Sequence, residues 1–195
     1  MQYLTVKHHR LMTKVLSKAH LGAIGENMVA VRLLQNGLDA ILANQSINNC
    51  QSYDLICVDP QTGKTQLVQV KTSVEKNIPI GMKLHECTLE YLEKKIIGPW
   101  VFVHVIGEGE NMTFQFYLLT RREIIKLIYE RNDWYVNKWH RNGREIDLKS
   151  PCAIKTSWLE GNGEVENNKH EGFKNPIKSC LVDSNTVLWN KIMED

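Results

Sequence analysis

The sequence predicts an α/β fold in which helices flank a mixed sheet. Apolar residues recur at helical spacing over 18–36, and a second helical stretch follows at 84–97. Five strand-like runs are predicted, at 38–43, on the two sides of a turn at 59–64, at 100–106 and at 113–119. The resulting order is helix, three strands, helix, two strands and a third helix, which indicates a sheet covered on both faces.

The first predicted helix carries small residues where it would meet the sheet. Gly22, Ala23 and Gly25 lie in its first turns, so its backbone can approach a neighbouring strand closely. Gly37 follows the last turn and is the expected left-handed cap. Glu26 lies on a partly apolar flank of this helix, where a carboxylate needs a partner or a metal ion. The alternative is an exposed glutamate at the helix edge.

The two central strands are predicted to form a hairpin that brings three polar side chains together. If Asp59 pairs with Lys64 across the turn, the register places Asp54 directly opposite Gln69. Directly opposed residues of an antiparallel pair point to the same face. Lys71 shares the face of Gln69 because successive side chains alternate. The hairpin therefore predicts an acid, an amide and an amine at one spot.

The alternative for this hairpin is an edge pair with polar residues on a solvent face. Ile56, Val58 and Leu67 share that face with the three polar residues, which argues against it.

The remaining elements are assigned from turn residues and helix signals. The stretch 72–82 is predicted as a loop because it contains Pro79 and Gly81. Thr120 and Glu123 form a capping box that begins the third helix. The chain is divided into a core at 1–130, with a basic N-terminal segment, and an extension at 131–195 packed on it. In the extension, 160–176 is predicted to be flexible and 187–193 to form a terminal helix that docks Leu188, Trp189 and Ile192.

Composition limits the classes of protein but does not choose among them. The chain has 195 residues and a formal net charge of +2, which is too small to establish a nucleic-acid partner. Its five cysteines are odd in number and form no CxxC, which argues against a disulfide framework or a zinc ribbon. No apolar stretch is long enough to span a membrane, and a cytoplasmic location is the expectation.

The motif order resembles the PD-(D/E)XK, or restriction-endonuclease-like, nuclease superfamily. Its signature is a helical Glu, an Asp on one strand, and Glu-X-Lys on the next. Here Glu26, Asp54 and Gln69-Val70-Lys71 stand in that order, and a Gln-X-Lys version is similar to that of Mrr-type endonucleases. The resemblance covers roughly 17–120 and implies an αβββαβ core with a mixed central sheet flanked by helices.

The resemblance implies a metal-dependent nuclease with Mg²⁺, or Mn²⁺, as cofactor. Asp54 would be the main metal ligand, with Glu26, the side-chain oxygen of Gln69 and the backbone carbonyl of Val70 as further ligands. Lys71 would position the attacking water or stabilise charge on the phosphate.

Three alternatives about activity and partners stay open from the sequence. The neutral Gln69 binds Mg²⁺ less tightly than a carboxylate, so the chain can also be an inactive module that binds nucleic acid or a protein partner. DNA is the expected substrate and RNA the alternative. Many members of the superfamily dimerise, which makes a homodimer an expectation from the resemblance alone.

Overall fold

The computed structural model describes residues 16–43, 52–141, 145–161, 173–182 and 186–194. Within these ranges the strands are β1 (Asp39–Leu42), β2 (Leu55–Val58), β3 (Thr65–Ser73), β4 (Asn77–Lys83), β5 (Trp100–Ile106), β6 (Thr113–Leu119), β7 (Pro151–Lys155) and β8 (Leu181–Val182). The helices are α1 (Lys18–Gln35), α2 (Leu89–Lys95), α3 (Arg121–Arg141), α4 (Thr156–Leu159) and α5 (Thr186–Trp189), with 3₁₀ turns at Leu84–Glu86, Gly109–Asn111 and Asn190–Met193.

A six-stranded mixed sheet forms the centre of the fold. Its strand order is β1-β2-β3-β5-β6-β8. The β3–β5 pair is parallel, and the other neighbouring pairs are antiparallel. A parallel pair needs a crossover connection, and the chain supplies one through β4 and α2 between β3 and β5. The predicted α/β fold with a mixed sheet flanked by helices is confirmed.

The hairpin of β2 and β3 has the predicted register. Leu55 pairs with Val68 and Val58 with Thr65, so the same register continued by one residue sets Asp54 opposite Gln69. The Asp59 N–H donates to the Lys64 carbonyl at 2.9 Å and closes the turn. The predicted pairing across this turn is therefore confirmed.

Helix α1 packs closely on the sheet through Gly25. A Cβ at Gly25 would lie 1.9 Å from the Thr72 Oγ1, so no larger residue fits there without a shift of the helix. The Ser17 side chain caps the first turn, and Gly37, with φ 77°, follows Asn36 at the end. Of the three small residues, Gly25 makes the predicted close approach, whereas Gly22 has open space around its Cβ position and Ala23 is exposed; Gly37 follows the helix as the predicted left-handed glycine.

Apolar cores lie on both faces of the sheet. On one face, α1 contributes Val29 and Leu33 to a core that contains Val68 and Val70 of β3. On the other face, α2, α3, β4 and β7 enclose a second core that includes Trp100 of β5. Since alternate residues of a strand point to opposite faces, Gln69 and Lys71 lie on the side of the second core.

The predicted loop at 72–82 is wrong. Most of it is β4, which pairs antiparallel with β7. Ile78, Ile80 and Met82 alternate with exposed residues and are buried. Pro79 and Gly81 suggested a loop, but both occupy exposed positions of the strand, where they interrupt no apolar contact. The predicted helix at 84–97 is shorter than expected, because a 3₁₀ turn precedes it and Thr88 caps it at Leu89.

The elements after β6 agree in part with the sequence prediction. The capping box is confirmed, because the Thr120 N–H donates to Glu123 Oε2 and the Glu123 N–H to Thr120 Oγ1. Trp189 and Ile192 are buried at the C-terminal end as predicted, whereas Leu188 is 41% exposed and does not dock.

The predicted division at position 130 falls within α3 and stays a prediction, and β7 of the extension pairs with β4 of the core. The basic N-terminal segment and most of the predicted flexible stretch at 160–176 lie outside the described residues. Among the helices described, none is both long and apolar enough to cross a membrane.

Candidate active site

Asp54 is the centre of a polar cluster at the end of β2. Its Oδ2 accepts a 2.7 Å hydrogen bond from the Val70 backbone N–H and another from the Gln69 side-chain amide. Its Oδ1 accepts no hydrogen bond from the described residues. Burial raises the pKa of the Asp54 carboxyl, and this effect is opposed by the Val70 N–H, the Lys71 charge and the Gln69 amide. One carboxylate oxygen is thus held in place while the other stays available to a ligand.

The cluster exists because β3 continues beyond the end of β2. The ladder with β2 ends at Leu55 and Val68, whereas β3 runs on to Ser73 and pairs with β5 there. The Gln69 N–H donates to the Pro99 carbonyl on the β5 side, at 3.1 Å. The N–H of the next residue, Val70, points to the opposite edge, and its carbonyl points the same way. The carbonyl proposed from the resemblance as a ligand therefore faces the edge where Asp54 lies.

Lys71 is a partly buried amine held between carboxylates and an aromatic ring. Its Nζ lies 5.4 Å from the centre of the Trp100 ring, within the range of a cation–π contact. Burial lowers the pKa of Lys71, while the carboxylates of Asp54 and Glu26 counteract this shift. An acid and a base whose pKa values move towards each other in a cleft are typical of functional sites.

Glu26 reaches this cluster from the other face of the sheet. It lies on α1, one residue after Gly25, whose close contact with Thr72 sets α1 against β3. Its charge favours the protonated form of Lys71 and so opposes the effect of burial on the Lys71 pKa. The structure thus brings Asp54 into contact with Gln69 and Val70, with Lys71 next along β3, and the charge of Glu26 acts on Lys71.

A cleft of about 230 Å³ opens at this cluster. The residues that line it are Ser52, Gln69, Lys71, Ile80, Gly81, Met82, Lys95 and Trp100. Asp54 and Glu26 are not among them; Asp54 meets the cleft through its contact with Gln69. The cleft therefore presents an amide and two amines, with the carboxylates set behind them.

The chemistry of the donor groups fits a magnesium ion that needs its substrate to complete the site. Among the residues described, no group of three or more His, Cys, Asp or Glu side chains is arranged to hold a metal ion. Mg²⁺, however, keeps several waters and usually binds through one or two carboxylates plus substrate phosphates. Asp54, Glu26 and the Val70 carbonyl would supply oxygen ligands of the kind that Mg²⁺ prefers, whereas zinc sites in proteins usually include His or Cys.

Six residues of the cleft were not predicted as site residues: Ser52, Ile80, Gly81, Met82, Lys95 and Trp100. Ile80, Gly81 and Met82 were assigned to a loop, and Lys95 was one of several lysines on a helix. The alternation of apolar residues from Ile78 to Met82 was a signal for the strand. No local pattern distinguishes Lys95 from Lys94, because the difference arises from how α2 packs against α3.

Comparison with known proteins does not assign this chain. No protein-family model matches it, and no curated protein matches it.

Proposed function

We propose that this protein is a metal-dependent nuclease-like enzyme that hydrolyses phosphodiester bonds in DNA. The observation that carries the proposal is the cluster of Asp54, Gln69 and Lys71 at a cleft, in which burial raises the pKa of the acid and lowers that of the amine. Groups that an enzyme uses for proton transfer or charge stabilisation have pKa values shifted in this way.

The arrangement of elements also supports the proposal. A helix with Glu26 precedes three antiparallel strands, and a crossover with a helix leads to a parallel fourth strand. This is the order implied by the resemblance to the PD-(D/E)XK superfamily, with β4 as an addition before the crossover helix. The inference of common chemistry rests on the positions of Asp54 and Lys71 within that order and not on the fold alone.

Each residue has a proposed role at the site. Asp54 and Glu26 would hold Mg²⁺ or Mn²⁺ together with the Val70 carbonyl, and the ion would activate water and neutralise charge on the phosphate. Gln69 orients Asp54 through its hydrogen bond. Lys71 stabilises the negative charge that develops on the scissile phosphate, since its amine faces the cleft and is partly desolvated.

An inactive nucleic-acid-binding module is the second candidate. It is favoured by the neutral Gln69, whose amide presents an N–H to Asp54, and by the burial that opposes ionisation of Asp54. Both features reduce the negative charge available to a metal ion. RNA as substrate and a homodimer as the working state stay alternatives within the proposal.

The test is cleavage of supercoiled plasmid, single-stranded DNA and RNA with Mg²⁺ or Mn²⁺. The wild-type protein is compared with Asp54→Ala and Lys71→Ala, and Lys94→Ala is the control because Lys94 is exposed and outside the cleft. The expected result is metal-dependent cleavage that both site variants lose and the control keeps. Absence of cleavage of all three substrates by folded protein would reject the enzyme, and nucleic-acid binding without cleavage would favour the inactive module.

A further inference from the structure

The cleft beside Lys71 has features that the catalytic cluster does not use. Its floor is formed by β3 and β5, through Lys71 and Trp100, and one wall by Ile80 to Met82 of β4. Lys95, in the last turn of α2, completes the lining. The cleft therefore extends from the proposed reacting groups towards a second amine.

Lys71 and Lys95 form a pair of like charges at one opening. Both side chains line the same cleft. Neither lysine takes part in the ion pairs Lys126–Glu130 and Lys191–Glu123. Two amines that converge on a cleft repel each other unless an anion lies between them. A pair of amines at one opening suits an anion with more than one phosphate.

The wall formed by β4 is irregular where it meets the cleft. The register between β4 and β7 shifts between Pro79 and Lys83, and Ile80, Gly81 and Met82 lie within that irregularity. Gly81 is exposed, has φ 78°, and has no atom within 4 Å of the position that a Cβ would take. Irregularities of this kind are frequent next to binding sites, where they redirect the strand. Here the glycine leaves open space beside the two amines.

The size of the cleft limits what can enter. Its volume of about 230 Å³ is below the range of roughly 300–1,000 Å³ for pockets that enclose a whole ligand. It can therefore take a segment of a polymer but not a base pair. Ile80, Met82 and Trp100 give it apolar surface that suits a sugar, next to the amines that suit phosphates.

We propose that this cleft binds one unpaired nucleic-acid strand, with Lys95 contacting the phosphate next to the one held at Lys71 and Gly81 giving room to the sugar–phosphate backbone. The proposal rests on the proposed nuclease function and specifies its substrate as a single strand or an unpaired end. Lys95 is a binding residue in this scheme, and its removal weakens the hold on the strand without changing the groups at the reacting phosphate.

Fluorescence anisotropy with a labelled single-stranded 20-nucleotide DNA and a duplex of the same sequence tests the proposal. Ca²⁺ replaces Mg²⁺ so that binding is measured without cleavage. Lys95→Ala is compared with Lys94→Ala, which removes the same charge from the same helical turn outside the cleft. Lys95→Arg tests whether charge alone is needed.

Loss of one phosphate contact should reduce the slope of log K against log salt by about 0.7 and weaken single-strand binding about fivefold at low salt. We expect this for Lys95→Ala, with less than a twofold effect for Lys94→Ala and near-normal binding for Lys95→Arg.

Equal effects of Lys95→Ala and Lys94→Ala, in a protein that cuts DNA, would overturn the strand proposal and leave the nuclease intact. Duplex bound more tightly than the single strand would overturn it in the same way. A wild-type protein that neither binds nor cuts nucleic acid would overturn both proposals.

Discussion

The side-chain amide of Gln69 donates a hydrogen bond to the carboxylate of Asp54. An ionised carboxylate can only accept hydrogen bonds, so the amide presents its N–H group to Asp54. A glutamate at position 69 would place a second negative charge at the same contact. The Asp54–Gln69 contact therefore involves no charge repulsion that a metal ion would have to offset. Two carboxylates at this contact would repel each other without a metal ion.

Gln69→Glu should destabilise the metal-free protein and tighten Mg²⁺ binding at least about tenfold. Two carboxylates in contact repel, and a cation between them removes that repulsion. Thermal unfolding should therefore show a lower Tm without metal and a larger increase on addition of Mg²⁺ than in the wild type. Calorimetric titration measures the affinity, and Gln69→Met controls for loss of the hydrogen bond. Unchanged or weaker Mg²⁺ binding would count against Gln69 facing the metal.

Asp54→Asn should raise the Tm of the metal-free protein at pH 7 while abolishing metal-dependent activity. Burial raises the pKa of Asp54, so its ionised form costs folding free energy at neutral pH. The wild type recovers that folding free energy as the pH falls through the raised pKa of Asp54. The difference in Tm between the wild type and Asp54→Asn should therefore shrink as the pH is lowered. Thermal unfolding between pH 7 and pH 4 measures this.

Asp59→Asn is the control, because its expected effect on the Tm at pH 7 has the opposite sign to that of Asp54→Asn. Hydrogen bonds from the Thr62 side chain and the Gln61 N–H lower the pKa of Asp59, so its ionised form stabilises the fold. That stabilisation is present at pH values above the pKa of Asp59 in the unfolded protein. It is lost as the pH falls through the pKa of Asp59 in the folded protein. Asp59→Asn should therefore lower the Tm at pH 7. An Asp54→Asn protein that is also less stable at pH 7 would contradict the assigned cost of burial.

Gly25→Ala should destabilise the protein by about 2 kcal/mol or more, because overpacking of a filled contact forces the backbone to move. The new methyl group would lie 1.9 Å from Thr72 Oγ1, so α1 must shift away from β3 and move Glu26 with it. Gly22→Ala is the matched control, since no atom lies within 4 Å of its Cβ position. It should stabilise the helix by about 0.5–1 kcal/mol. Chemical denaturation of both variants tests this, and equal stabilities would show that α1 is not held by the Gly25 contact.

Cys152 should contribute stability that grows between pH 7 and pH 9. The Cys87 thiol and the Arg131 guanidinium, whose Nη1 lies 3.5 Å from the Cys152 sulfur, lower the pKa of Cys152 to about 7 from 9.0. A group whose pKa is lower in the folded than in the unfolded protein stabilises the fold at pH values above its unfolded-state pKa. That stabilisation is lost as the pH falls through its folded-state pKa. The Tm difference between wild type and Cys152→Ala should therefore be larger at pH 9 than at pH 6.5.

Cys180→Ala is the control for that experiment. Burial raises the pKa of the Cys180 thiol to about 12, so the thiol stays neutral throughout the same range. The difference in Tm between Cys180→Ala and the wild type should not change between pH 6.5 and pH 9. The same flat profile in Cys152→Ala would contradict a thiolate paired with Arg131.

Local rules were sufficient for the hairpin and not for the cleft. Turn residues and side-chain alternation predicted that Asp54 and Gln69 would be opposite, because both signals lie within about twenty residues of chain. The wall at Ile80 to Met82 was missed because β4 is stabilised by β7, which begins at Pro151, about seventy residues later. Lys95 was missed for a similar reason. Its position depends on the packing of α2, which periodicity does not specify.

The site lies at the boundary between two apolar cores that are built by different parts of the chain. Glu26 is carried by a helix of the core on one face, while Gln69, Lys71 and Trp100 line a cleft on the other. An intermediate that has consolidated only one face would lack part of the proposed catalytic site and therefore the proposed activity. Recovery of cleavage during refolding should therefore lag behind the appearance of helix and sheet signals, and enzyme assay would report completion of the whole fold.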